Sequence, residues 1–200
     1  MSGDATNQDT IHQSTRKGLA NSVLGTRNLM ITAALAVVGS IIVVALSYIS
    51  ATMLLTPRGL FIACSFMGAW LIPYLLPAVV VRKPGAAIIA GLIMGIIAAF
   101  TTPSGPATII GNVLGAAFVE LPLAVLLYRV WTWWSFAISG CVFGCINGLL
   151  YLGMVQFTTS TGVSVGIVGV SIVSCLAGVA VCLFIGSLLA RAGVGSARRR

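Results

Sequence analysis

LMITAALAVVGSIIVVALSYISATM, residues 29–53, runs for 25 positions without a charged side chain. An α-helix rises 1.5 Å per residue, so about 20 such residues cross a hydrocarbon core roughly 30 Å thick. The stretch lacks the strict polar–apolar alternation that a membrane barrel strand needs. It reads as a membrane-spanning helix. Outward along the chain the same reading applies to Leu60–Val81, Ala86–Phe100, Ala107–Tyr128, Trp134–Phe157 and Val163–Ala190. The third of these six runs is short for a span and is expected to borrow residues from its flanks. Composition agrees, with 58% hydrophobic and 7% charged residues among 200, too few polar groups to cover a soluble domain. The expected fold is all-α: an integral membrane bundle of six transmembrane helices over residues 29–190. A disordered tail over 1–28 precedes it, and a basic tail over 191–200 follows.

A net charge of +8 invites a nucleic-acid reading, but the positions of the charges argue against one. Arg16, Lys17 and Arg27 precede the first run; Arg82 and Lys83 separate the second from the third. Arg129 separates the fourth from the fifth, and Arg191, Arg198, Arg199 and Arg200 follow the sixth. Only Arg58 of the 11 basic residues falls on the other side. Cytoplasmic loops of membrane proteins carry such an excess, so both termini are expected in the cytoplasm. No nucleic-acid partner is expected. The first run is also too long for the apolar part of a secretory signal, about 7–15 residues. The expected location is the cell membrane, as a multi-pass protein in the lipid bilayer.

Chemistry has little to work with. The one histidine is His12, in the N-terminal tail, so no base stands beside a nucleophile inside the runs. One intramembrane acid cannot form a carboxylate dyad, and no phosphate-binding Gly-rich loop ending in Lys-Ser or Lys-Thr is present. Cys141 and Cys145 could be half of a metal site, but no histidine or acid accompanies them; cysteine also packs as a small apolar residue. No metal or cofactor is expected, and no enzyme activity. The runs show neither a ring of charges nor a filter-like loop. Binding and movement of a small molecule remain.

After Asp9 the only carboxylate side chain is Glu120, inside AAFVELPLAV, residues 116–125. Ionisable groups within a bilayer are costly and usually face a cavity or a partner. Thr108, Asn112, Ala116 and Glu120 repeat at spacing four and share one helical face. Ala116 would leave a slot between an amide and a carboxylate, beside a kink at Pro122. The fifth run adds Asn147, Tyr151 and Gln156, and the second adds Trp70 and Tyr74. These seven residues, Glu120, Asn112, Trp70, Tyr74, Asn147, Tyr151 and Gln156, form the candidate substrate-binding set. The alternative is that the amides and phenols only join helices, with Glu120 as a structural pin in a membrane scaffold or assembly protein.

Small residues mark where helices approach closely in lipid. Gly140, Gly144 and Gly148, Gly111 and Gly115, and Gly91 and Gly95 are expected at contacts within the bundle. Thr32, Ala36 and Ser40 share a face of the first run that is expected to dock another membrane subunit. Trp131, Trp133 and Trp134, beside Arg129, are expected at the interface as anchors.

Three fragments resemble a known family: RKPGAA at 82–87, PSGP at 103–106 and GAAFVE at 115–120. With six helices and both ends inside, the chain resembles the YkoE family. These are substrate-binding S components of energy-coupling-factor (ECF) vitamin transporters, linked to thiamine or its hydroxymethylpyrimidine precursor. The resemblance implies a prokaryotic plasma-membrane protein that captures such a vitamin or precursor from outside. It also implies a transmembrane T component and two ATPase subunits as partners. Glu120 carries over from the family pattern. Other acids of the family are missing, since the third run reads AGLIMGIIA and the fifth offers Tyr151.

Overall fold

The computed structural model describes residues 25–53, 57–154 and 161–194. Every regular element among them is a helix: α1 (Thr26–Met53), α2 (Pro57–Ser65), α3 (Met67–Val81), α4 (Ala86–Thr101), α5 (Ala107–Val125), α6 (Trp133–Met154) and α7 (Thr161–Arg191). Five segments are long and apolar enough to cross a membrane: Thr26–Ser50, Arg58–Val81, Ala107–Val125, Trp133–Gly153 and Thr161–Arg191. The third run, α4, has 16 residues, about 24 Å at the helical rise. It does not borrow from both flanks. Gly85 at φ 80° stops it at one end, and extended Thr102 stops it at the other.

The second apolar run is not one helix. It breaks at Phe66, between α2 and α3. The cause lies on α7, where the Ser174 hydroxyl donates to the Ser65 carbonyl and accepts the Gly68 N–H at 2.9 Å. One side chain thus satisfies backbone groups that an uninterrupted helix would pair internally. Gly68 and Gly178 let the two backbones touch: a Cβ on either would overlap main-chain atoms of the other helix.

Helix α3 is the axis of the bundle, in contact with α1, α4, α5, α6 and α7. Around it α1 lies beside α4, α4 beside α5, α5 beside α6, and α6 beside α7. The predicted glycine ridge of α6 meets α7, with Gly140 against Val179 and Gly144 and Gly148 against Ser171. Gly91 and Gly95 of α4 meet Asn112, Ala116 and Ile109 of α5. The cysteines are unpaired, with Cys64, Cys175 and Cys182 buried between helices.

The face of α1 expected to dock another subunit lies inside this bundle. Thr32, Ala36 and Ser40 are 0%, 0% and 4% exposed, and neighbouring Gly39 sits against Pro73 and Met94. That face seats α1 on α3 and α4. Small residues mark a close approach but do not say whether the partner is the same chain. The exposed side of α1 carries Met30, Val37, Val38 and Ile41 instead.

The two ends of the bundle differ. Arg27, Arg82, Lys83, Arg129 and Arg191 lie where α1 starts, α3 meets α4, α5 meets α6, and α7 ends. The Arg27 guanidinium donates to the Gly193 carbonyl at 3.2 Å, joining the first helix to the last at this basic end. At the opposite end, the Tyr48 hydroxyl donates to the Thr101 carbonyl at 2.8 Å.

Candidate functional site

A cavity of about 230 Å³ lies in the half of the bundle away from the basic end. Helix α3 contributes Met67, Trp70 and Tyr74, and α5 contributes Thr108, Gly111, Asn112 and Gly115. Helix α6 adds Phe143, Asn147 and Tyr151, and α1 adds Ser47. Five of the candidate residues, Trp70, Tyr74, Asn112, Asn147 and Tyr151, therefore meet around one space. None of the described residues that line it is charged.

Its polar wall is held by hydrogen bonds of fixed direction. The Asn112 amide donates through Nδ2 to the Thr108 carbonyl at 2.7 Å. A carbonyl can only accept, so Oδ1 is the amide atom that receives the Tyr74 hydroxyl at 2.8 Å. The Tyr74 proton is thereby committed, and its oxygen keeps lone pairs for another donor. Asn147 donates through Nδ2 to the Phe143 carbonyl at 2.9 Å, leaving Oδ1 and one N–H for a ligand. The rings of Tyr74 and Phe143 are 6.0 Å apart and tilted by 43°.

Two glycines expected at helix contacts shape the cavity instead. A Cβ on Gly111 would meet nothing within 4 Å, and one on Gly115 would touch the Tyr74 ring at 3.4 Å. Helix α5 therefore presents bare backbone to the space. Sequence reasoning missed Ser47, Met67 and Phe143 as lining residues, since nothing distinguishes them from any other residue of an apolar run. Gln156 lies outside the described residues.

Glu120 is not among the residues that line the cavity. It shares a face of α5 with Asn112, but eight residues further on, about 12 Å along the axis toward the basic end. The slot imagined at Ala116 is filled, because Ala116 is fully buried against Gly91. The carboxylate accepts the N–H groups of Gly85 and of Ile88, the latter at 3.0 Å, and the Tyr128 hydroxyl at 3.2 Å. Gly85 is the N-cap of α4 and has no side chain to satisfy the first turn. Glu120 supplies that cap from a neighbouring helix, where negative charge also suits the helix dipole. Beyond the end of α5, burial and then the adjacent carboxylate push the Tyr128 phenol up to about 12, so it stays a donor to Glu120. A signal for this was present: RKPGAA opens a helix without Ser, Thr, Asp or Asn at its start.

This arrangement defines a class of protein: a helical membrane bundle with a partly aromatic cavity, lined by uncharged side chains among the described residues, on the side away from its basic end. A solved structure described as "Crystal structure of an S-component of ECF transporter" shares the fold, with a TM-score of 0.74. The match covers 84% of this chain and 87% of that one at 18% identity, a likeness of fold. The family described as "ABC-type cobalt transport system, permease component" matches residues 27–146. The chain belongs to that family and is a multi-pass protein of the cell membrane. The family is one of transport proteins by its description. No curated protein sequence matches this one.

Proposed function

We propose that this chain is the S component of an ECF-type importer, capturing a small, neutral, nitrogen-containing ring compound from outside. The observation that carries the reading is the convergence of Trp70, Tyr74, Asn112, Asn147 and Tyr151 on one cavity. Aromatic faces hold a flat ring, and the amides offer donors and acceptors to its edge. A 4-amino-5-hydroxymethylpyrimidine fits this inventory better than thiamine. The cavity is smaller than the roughly 300–1,000 Å³ usual for drug-sized ligands, which favours one ring over two. No carboxylate among the described residues lines it to offset a thiazolium charge. Thiamine remains the related ligand against which to measure.

The family's description names cobalt, but the donor set here argues for an organic ligand. The lining offers amides, hydroxyls and the Met67 thioether, whereas cobalt(II) favours imidazole, thiolate and carboxylate ligands. Energy for uptake would come from partner subunits, a transmembrane T component and two ATPases. The sequence carries no phosphate-binding loop of its own.

Thermal shift and affinity measurements on the purified chain test the reading. Hydroxymethylpyrimidine should raise the melting temperature more than thiamine, its phosphates or cobalt(II). Asn147→Leu should weaken binding by roughly ten-fold while leaving unliganded stability near normal, since it removes about one ligand hydrogen bond. Stabilisation by cobalt alone, or by none of these compounds, would overturn the proposal.

Orientation is tested separately. With positive charge inside, a cysteine at exposed Ser104 should react with an impermeant maleimide added to whole cells. Labelling only after the membrane is opened would place the cavity on the wrong side for capture.

A further inference from the structure

The basic end holds a second surface that ligand capture does not use. Glu120 Oε1 accepts both the Gly85 N–H and the Tyr128 hydroxyl. One buried atom thus ties the connection between α3 and α4 to the connection between α5 and α6. Lys83 lies two residues before Gly85, and Arg129 follows Tyr128 directly. Both cations are exposed, and neither has an acidic partner among the described residues. The one carboxylate nearby is turned inward and capped by backbone N–H groups. Arg82 differs, because its Nε donates back to the Val79 carbonyl at 3.3 Å.

The residues next to Arg129 in the chain suit the headgroup level of a membrane. Trp133 and Trp134 stack at 3.8 Å between ring centroids, and both are exposed. Exposed Leu127 and Val130 flank Arg129, offering apolar contact beside the charge. Tyr128 and Leu127 both hold left-handed backbone, at φ 54° and 53°. That conformation is unfavourable for residues other than glycine, so the tie to Glu120 maintains a shape that the chain would not adopt unaided.

We propose that Lys83 and Arg129 form a binding site for the phosphate of an anionic phospholipid, with Trp133 and Trp134 at its rim and the acyl chains against Leu127 and Val130. Two exposed cations with no acidic partner among the described residues, on connections that one buried atom ties together, suit one phosphodiester. The adjoining apolar residues favour a lipid over a soluble phosphate or an acidic protein. Basic residues at the membrane surface attract anionic lipid individually, each by about five-fold. Here two act on one headgroup.

The test uses the full chain in detergent, titrated with phosphatidylglycerol and followed by tryptophan fluorescence. Lys83→Gln with Arg129→Gln should weaken binding about thirty-fold. Lys83→Arg should retain binding, and Arg58→Gln, which removes a charge at the opposite end, should change nothing. Phosphatidylcholine should bind the wild type no better than phosphatidylglycerol binds the double variant. Unchanged affinity in the double variant overturns the site and leaves an acidic protein surface as the partner to consider. An equal loss in Arg58→Gln overturns it in favour of diffuse charge attraction. Displacement of the lipid by millimolar glycerol 3-phosphate would overturn the lipid assignment in favour of a soluble phosphate. Binding of hydroxymethylpyrimidine by the same variants reports on the distant cavity, so the two proposals fail separately.

Discussion

Glu120→Leu should destabilise the protein by about 3–5 kcal/mol while the fraction that still folds binds its ligand normally. The substitution removes the acceptor of two backbone N–H groups at the start of α4, those of Gly85 and Ile88. It also removes the partner of the Tyr128 hydroxyl. A buried donor left without a partner costs about 1–3 kcal/mol, and bonds to a charged acceptor lie at the upper end of the range for hydrogen bonds. Water cannot easily replace the carboxylate, since Glu120 is only 3% exposed. Glu120→Gln should fall between wild type and leucine. Its amide oxygen can satisfy one N–H, but its NH₂ group then faces a second donor. The measurements are the melting temperature in detergent and the ligand affinity of the same preparation. A large loss of affinity with normal stability would return Glu120 to the ligand site.

That expectation reverses what the position of Glu120 suggests in the sequence, and the reason is instructive. Spacing by four residues places Thr108, Asn112, Ala116 and Glu120 on one face of α5, and they do share it. Face is not depth. Eight residues of helix carry the carboxylate about 12 Å from the amide, out of the cavity and into the start of another helix. The capless RKPGAA turn held the missing information, because a helix start without a capping side chain needs an acceptor from elsewhere.

Other parts of the molecule were legible because lipid imposes a strong rule. An apolar run without charge must satisfy its backbone internally, so the helices could be read nearly to their ends. Polar residues inside such runs need a reason, and Asn112, Asn147, Trp70, Tyr74 and Tyr151 found one around a common cavity. Thr32, Ala36 and Ser40 face the interior of this bundle, which spacing alone does not reveal, because it shows which side of a helix is small and not what lies against it. The break at Phe66 had no local signal. It depends on Ser174, 109 residues after Ser65, and on a pair of glycines that only the fold brings together.

That pair gives the prediction with the largest structural consequence. Gly68→Ala should be among the most damaging small substitutions in the chain, costing about 3 kcal/mol or more. Its Cβ would overlap the Ser174 carbonyl, and a carbonyl in mid-helix cannot rotate away as a flexible side chain could. Forced overpacking typically costs about 1–3 kcal/mol, occasionally more; here relief requires α3 and α7 to separate. The displacement would begin one residue from Met67 and two from Trp70, both of which line the cavity. Ligand affinity should therefore fall together with stability. Gly111→Ala supplies the contrast. A Cβ there meets nothing within 4 Å, and alanine is favoured over glycine in a helix by about 0.8–1.0 kcal/mol. That variant should melt at or slightly above the wild-type temperature, and any loss of affinity should come from the volume its methyl group takes from the cavity. Melting temperature and ligand affinity for both variants decide the matter. Equal stability of Gly68→Ala and Gly111→Ala would mean that the crossing of α3 and α7 is looser than the contact between Gly68 and Gly178 requires.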